Sequence, residues 1–233
     1  MENIKLENLN KSEALRYLGY GSSKADEKIS NILNECEQEI IENARPRYIY
    51  RRFDIEPVYE KHTEEYKGIS VCKTNLILPG NSIKKHLMGC HSAVLMAVTI
   101  SEQADRLIRI AKVSNMVKAV VLDSLASVAV EQACDKTEQI IKSEYPDMYQ
   151  TFRFGIGYGD LPIHLQKDFL NVLNAPKLIG LNVTDSCMLV PTKSVTAVIG
   201  LSENEIKGQA RGCQTCNMNK RCRFRAKGGH CFG

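Results

Sequence analysis

The 233-residue chain is 43% hydrophobic and 25% charged, which excludes an intrinsically disordered protein and leaves enough apolar material for a sizeable core. The opening MENIKLENLN has no apolar run of signal-peptide length. The most apolar stretch, Ala119 to Val130, is short for a bilayer and carries Asp123, Ser124 and Ser127, so a soluble cytoplasmic protein with no membrane role is expected. Seven Lys/Arg and no acidic residue lie from Lys207 onward. Removing those seven from the 31 basic residues leaves 24 against 27 acidic, so the net charge of +4 belongs to the tail and the body carries about −3. A nucleic-acid-binding body is not indicated.

In chain order, Ser12 is placed to cap a short helix carrying Leu15 and Leu18, with Gly19 or Gly21 as its stop. Ser23 opens a longer helix in which Ile29, Ile32, Leu33, Cys36 and Ile40 recur at helical spacing before Pro46. Arg47 to Phe53 alternates in strand fashion, and further strands are expected near Ile69–Cys72, Asn75–Leu78 and Ser92–Ile100. Ser101 followed by Glu102 starts a helix to about Val113. Met116 to Glu144 is the longest helix candidate, and its middle, AVVLDSLASVAVEQAC, is apolar nearly all round and rich in small residues, as suits a helix packed on several sides. Beyond it come a Gly-rich turn after Arg153, a short helix over Ile163 to Leu173, and strands near Met188–Val190 and Val195–Gly200. The pattern predicts an α+β fold: a mixed, largely antiparallel twisted sheet flanked by helices, with an N-terminal helical segment and a Cys-rich C-terminal tail. The boundaries expected are 1–45 for the helical segment, 46–206 for the main domain and 207–233 for the tail.

Arg153 to Pro162, RFGIGYGDLP, is the most unusual stretch. Glycines at 155, 157 and 159 free the backbone for positive φ and close approach to a ligand. A dinucleotide GxGxxG fails because Asp160 stands where the third glycine belongs. The segment suits a turn whose amides, with the Arg153 guanidinium, hold a small carboxylate-bearing ligand while Tyr158 stacks on it or bonds to it. The competing reading is a tight turn with Arg153 in an ordinary ion pair.

Arg153-x-x-x-Gly157-Tyr158, Pro162-x-His164-x-x-Lys167, Thr184-x-Ser186, Met188, Pro191 and Ser194-Val195, preceded by Glu131 in VAVEQAC, follow the order of the activation domain of cobalamin-dependent methionine synthase. The chain resembles that domain over about residues 90 to 200. Its LRYLGYG and RPRYIYRRF segments resemble the free-standing, single-chain version. The resemblance implies binding of S-adenosylmethionine and docking on a cobalamin-binding domain. It also implies reductive methylation of stranded cob(II)alamin with one electron from a flavodoxin- or ferredoxin-type donor. By the same resemblance Arg153 holds the methionyl carboxylate, Gly157 and Tyr158 lie beside the ligand, Phe154 contributes backbone, and Glu131 attracts the cationic amino group or sulfonium. His164 and Lys167 match without an assigned chemical role. The family's ligand-binding aspartate on an early strand has no counterpart in YIYRRF, around Tyr50, and Gly159-Asp160 replaces the usual continuation after Gly-Tyr.

Five of the nine cysteines are scattered (Cys36, Cys72, Cys90, Cys134, Cys187), and most sit among apolar neighbours, where such thiols usually behave as small buried hydrophobes. Cys213-x2-Cys216-x5-Cys222-x8-Cys231 can place four thiolates around a zinc ion or an iron–sulfur cluster, with His230 able to replace one of them. The expected function is an S-adenosylmethionine-binding activation subunit that does not turn over alone. Two alternatives stay open: a metal-tailed redox reactivator of another corrinoid methyltransferase, and an S-adenosylmethionine-sensing regulatory module.

Overall fold

A computed structural model describes residues 4–20, 25–206 and 219–221. Two compact units emerge, one from Met1–Arg51, Met96–Pro146 and His164–Thr196, the other from Arg52–Leu95, Asp147–Ile163 and Ala197–Gly233. The chain passes from one to the other within strands β1 (Arg47–Tyr59), β4 (Ser92–Thr99) and β9 (Ser194–Ser202), between helix α5 (Met116–Glu144) and strand β5 (Tyr149–Gln150), and in the 3-10 turn that starts at Ile163.

The first unit is organised by one helix. Helices α1 (Lys11–Tyr17), α2 (Glu27–Asn43) and α4 (Glu102–Ser114) all pack on α5 (Met116–Glu144). Thirteen residues of α5 are buried, among them Ala119, Ala126, Ala129 and Ala133. Small side chains on several faces let neighbouring backbones come close, which explains the stretch that is apolar nearly all round. The caps differ in part from expectation. Asn10, not Ser12, caps α1 by accepting from the Glu13 amide at 3.1 Å, and Gly19 at φ +87° follows its end. Asp26 caps α2 through the Ile29 amide at 2.8 Å; Ser23 lies outside the described residues. Ser101 precedes α4 but does not cap it, because its φ is +76° and its hydroxyl accepts instead from the Arg45 amide at 3.2 Å. Buried Glu37 anchors the N-terminal segment, accepting from the Leu9 amide at 2.9 Å and pairing with Lys11 at 2.7 Å.

The main sheet is ordered β3-β2-β1-β4-β9-β5, with β6 also on β9. Its strands are β1 (Arg47–Tyr59), β2 (Tyr66–Val71), β3 (Ile77–Leu78), β4 (Ser92–Thr99), β5 (Tyr149–Gln150), β6 (Phe154–Gly155) and β9 (Ser194–Ser202). β1–β2, β2–β3, β5–β9 and β6–β9 are antiparallel, and β7 (Asn182–Val183) pairs separately with β8 (Leu189–Val190). All eight residues of β4 are buried, as befits a central strand. β1 outruns the Arg47–Phe53 expected of it by six residues. Pro57 is tolerated there because β4 begins only at Ser92, and the Ile55 amide already bonds the His91 carbonyl at 3.0 Å. Two residues further on there is no β4 carbonyl for a missing N–H to leave unpaired. The short α3 (Asn81–His86) and α7 (Ala175–Ile179) were not anticipated, and the expected Ile163 to Leu173 helix is a 3-10 turn over Ile163–Leu165 followed by α6 (Gln166–Leu173). No helix among the described residues is long and apolar enough to cross a membrane.

Lys193, between β8 and β9, is only 12% exposed and reaches α5. Its ammonium bonds the Asp123 carbonyl at 3.0 Å and the Ser127 hydroxyl at 2.9 Å, and pairs with the Asp123 carboxylate at 3.0 Å. Lys193→Met keeps the aliphatic stem and leaves those acceptors unmatched. Asp123 is 57% exposed, so water takes over part of the lost contacts, and urea unfolding should show a loss of about 0.5–1.5 kcal/mol; an unchanged midpoint would mean the ammonium holds nothing.

Candidate functional site

The Gly-rich segment is held from below by β9. Phe154 pairs with Val198 and Gly155 with Ala197 across β6 and β9, and the Thr151 amide bonds the Gly200 carbonyl at 3.0 Å. The Thr151 hydroxyl accepts from the Gly200 amide at 2.8 Å and lies 2.8 Å from His86 Nε2. His86 is buried, with its ring 4.6 Å from Phe152 and 4.9 Å from Phe154, centroid to centroid. Gly200 allows this closeness: a Cβ there would stand 2.6 Å from the Cys90 sulfur and 3.0 Å from Thr151 Cγ2. The segment therefore enters its turn from a packed, hydrogen-bonded base.

Two tight reversals follow, closed by Tyr158 N–H to Gly155 O at 3.1 Å and Leu161 N–H to Tyr158 O at 3.0 Å. Gly157 sits at φ +91°, and an added Cβ would meet Ile163 Cδ1 at 2.7 Å. Gly155 must also be glycine, since its Cβ would stand 2.8 Å from the Tyr158 ring. The Tyr158 side chain remains 69% exposed, edge-on to Phe154 at 6.3 Å between centroids. The result is a hydrogen-bonded backbone reversal presenting an accessible phenol.

Asp160, which breaks the dinucleotide pattern, has a definite structural role. Its two carboxylate oxygens accept from the Asn81 amide at 2.7 Å and the Ser82 amide at 2.9 Å, in the first turn of α3. Gly80, the residue before that helix, has no side chain to cap it and leaves room for the carboxylate; a Cβ at Gly80 would meet Asp160 Oδ1 at 2.5 Å. Partial burial raises the Asp160 pKa, but the Ser82 and Asn81 amides outweigh it, and the net shift is downward. This residue was missed because α3 is short and its cap comes from 79 positions away.

β1 also supplies an acidic residue that sequence reasoning stopped short of. Asp54 lines a cavity of about 200 Å³ together with Arg52, Phe53, Cys72 and Lys73. Arg52 is steadied by a 3.1 Å bond from Nε to the Ser92 hydroxyl. The period-2 pattern that continues past Phe53 was the available signal, masked by Pro57.

Arg153, Phe154, Gly157 and Tyr158 are brought together in the second unit, Arg153 and Phe154 half-buried and Gly157 and Tyr158 exposed. Glu131 belongs to α5 in the first unit, half-buried, where its charge contributes to raising the Tyr17 pKa after burial and Glu13. His164 and Lys167 fall at the 3-10 turn and the start of α6. Among the described residues no group of three or more His, Cys, Asp or Glu is placed to hold a metal. Cys213, Cys216, Cys222, His230 and Cys231 lie outside them. Of the scattered cysteines, Cys36 and Cys134 are buried and Cys72, Cys90 and Cys187 half-buried. Burial pushes the Cys36 and Cys90 thiols to about 11, which suits structural thiols.

The family described as vitamin B12 dependent methionine synthase, activation domain, matches residues 60–207. No curated protein matches the chain significantly. Among solved structures, the chain is similar to the MetH reactivation domain crystallised with AdoHcy. The TM-score is 0.62 at 13% identity, covering 86% of this chain and 76% of that one.

Because Asp160 titrates below the usual 3.8 when folded, its contribution to stability is complete above that value and is lost as pH falls through the folded pKa. Asp160→Asn should therefore lower stability at pH 7 while flattening the loss seen on acidification below about pH 4. Parallel thermal melts of parent and variant from pH 7 to 3 check this, and two parallel curves would contradict the clamp.

Proposed function

The chain belongs to the vitamin B12 dependent methionine synthase activation domain family, and from that premise we propose that it is a free-standing activation subunit acting on cobalamin carried by a separate chain. It binds S-adenosylmethionine; a donor of the flavodoxin or ferredoxin type supplies one electron to cob(II)alamin, and the methyl group passes from sulfur to cobalt, leaving S-adenosylhomocysteine and methylcobalamin. The observation that carries this reading is the turn from Arg153 to Tyr158, with a rigid hydrogen-bonded base and an exposed phenol. AdoHcy in the related crystal structure is the demethylated form of the same ligand, which supports this ligand class.

In this reading Arg153 pairs with the methionyl carboxylate, an arrangement that a planar guanidinium serves better than an ammonium. The Phe154 and Gly157 backbones and the Tyr158 side chain position the ligand. The protein contributes binding and orientation, while sulfonium and corrinoid supply the reactivity.

Calorimetric titration with S-adenosylmethionine tests the ligand assignment. Arg153→Ala should weaken binding by about 2–4 kcal/mol, some 30- to 1000-fold, through loss of a charge-assisted pair. Absence of binding by the folded parent would sink the proposal.

Cys213, Cys216, Cys222 and Cys231 form the second part of the proposal: a zinc or iron–sulfur site, favoured by a CxxC followed by two further thiols among seven basic residues. Protein purified without oxygen should carry one metal centre per chain, and Cys213→Ser/Cys216→Ser should lose it. Metal analysis alongside the visible spectrum separates zinc from iron–sulfur, and a metal-free parent would end this reading.

A further inference from the structure

The junction of α4 and α5 is built from a single residue. The Asn115 amide bonds the Ala111 carbonyl at 2.7 Å, ending α4, while its side chain accepts from the Lys118 amide at 3.1 Å, starting α5. Around this corner five apolar side chains face solvent: Ile110 and Val113 at i, i+3 on α4, and Met116, Val117 and Val120 on α5. Their exposure runs from 50% for Val117 to 91% for Val113. Scattered exposed aliphatics are ordinary, but two rows meeting at one rigid corner are a patch.

The acidic groups at its flanks are already engaged: Asp105 accepts from the Thr192 amide at 2.7 Å and Asp123 pairs with Lys193 at 3.0 Å. From Arg106 through Leu122 the chain has no acidic residue and four basic ones, Arg106, Arg109, Lys112 and Lys118. Glu39 of α2 pairs with Lys118 at 2.6 Å, whereas Arg106, Arg109 and Lys112 are exposed with no ion-pair partner among the described residues. The body of the protein is otherwise slightly acidic, so this cationic rim is a local feature.

We propose that the α4–α5 corner is a docking surface for an acidic protein patch with an apolar centre. On the function proposed above, that patch lies on the separate corrinoid-carrying chain. Other occupants fit less well. The chain's own residues from Lys207 onward carry seven basic side chains and no acid, and so meet the rim with like charge. A second copy using the same corner would set Arg109 and Lys112 against themselves. Five side chains also fall well short of the ~800 Å² per partner of a standard stable interface. A small apolar centre within a charged rim suits a transient complex, in which charge speeds encounter and fixes register. A lipid surface is disfavoured because the corner has no aromatic anchor, only Ile, Val and Met.

The test measures binding of the full chain to a purified corrinoid-carrying methionine synthase chain that lacks its own activation domain, by interferometry at two salt concentrations. Val113→Asp, at a position 91% exposed, should weaken binding at least tenfold without affecting the fold. Arg109→Glu/Lys112→Glu should weaken it further at low salt and reduce its salt dependence. Titration with S-adenosylmethionine serves as control and should be the same in parent and variants. Loss of ligand binding in the parent would fail the proposed function, while partner binding would still report on the corner. Unchanged partner affinity in both variants overturns the docking surface. So does binding to phosphatidylcholine–phosphatidylglycerol vesicles that Val113→Asp abolishes, or a parent dimer in sedimentation that the same substitution dissociates.

Discussion

The middle of the 29-residue helix α5 is apolar nearly all round, with a nearly unbroken buried run from Val121 to Val130, and the first unit follows from that constraint. α5 must be covered by more than one element, so α1, α2 and α4 all lie against it. Alanines and a buried serine on its surface decide how closely they come. Ser124 illustrates the economy: its hydroxyl would be costly if buried alone, and it donates to the Ala14 carbonyl at 2.7 Å, joining α1 to α5. The same logic governs Lys193, whose ammonium is accommodated because backbone, hydroxyl and carboxylate oxygens of α5 all converge on it. Polar groups in this unit act mainly as ties between elements, and apolar area supplies the driving force.

The Gly-rich turn follows a different principle. Its glycines are set by distances, with Gly157 required by its positive φ and by Ile163, and Gly155 by the ring of Tyr158 lying across it. Rigidity is imported from outside the turn. Thr151, His86 and Gly200 form a buried polar base beneath it, and Asp160 ties its far end to α3. A loop fixed at both ends would lose little entropy on binding the proposed ligand, so contact energy would appear as affinity instead of being consumed in ordering.

Legibility in the sequence tracked how local the determining forces are. α5 was readable to its ends because composition and periodicity are properties of the helix itself. The buried strand β4 was readable within a residue for the same reason. α3 was not, since Gly80 gives no cap and the carboxylate that does the capping belongs to Asp160, far along the chain. β1 was cut short at Phe53 because Pro57 argues against a central strand, and only the late start of β4 makes it harmless. Ser101 looked like a cap because the sequence could not show that its hydroxyl is engaged by Arg45. At the site, the Arg153–Tyr158 segment stood out through its glycines, whereas Asp54 and Asp160 depended on neighbours that only folding brings near.

Asp160 shows how a departure from a family pattern can be absorbed by the structure. Asp160 stands where the resemblance expects a different continuation, yet its carboxylate is turned away to satisfy the amides of α3, so it does not place an uncompensated anion beside Tyr158. Those amides lower its pKa, so the clamp persists to more acidic pH than an unpaired carboxylate would allow. The substitution thus exchanges one way of fixing the turn for another. What a ligand meets is still the Gly157–Tyr158 reversal, held at a geometry that neither residue could maintain alone.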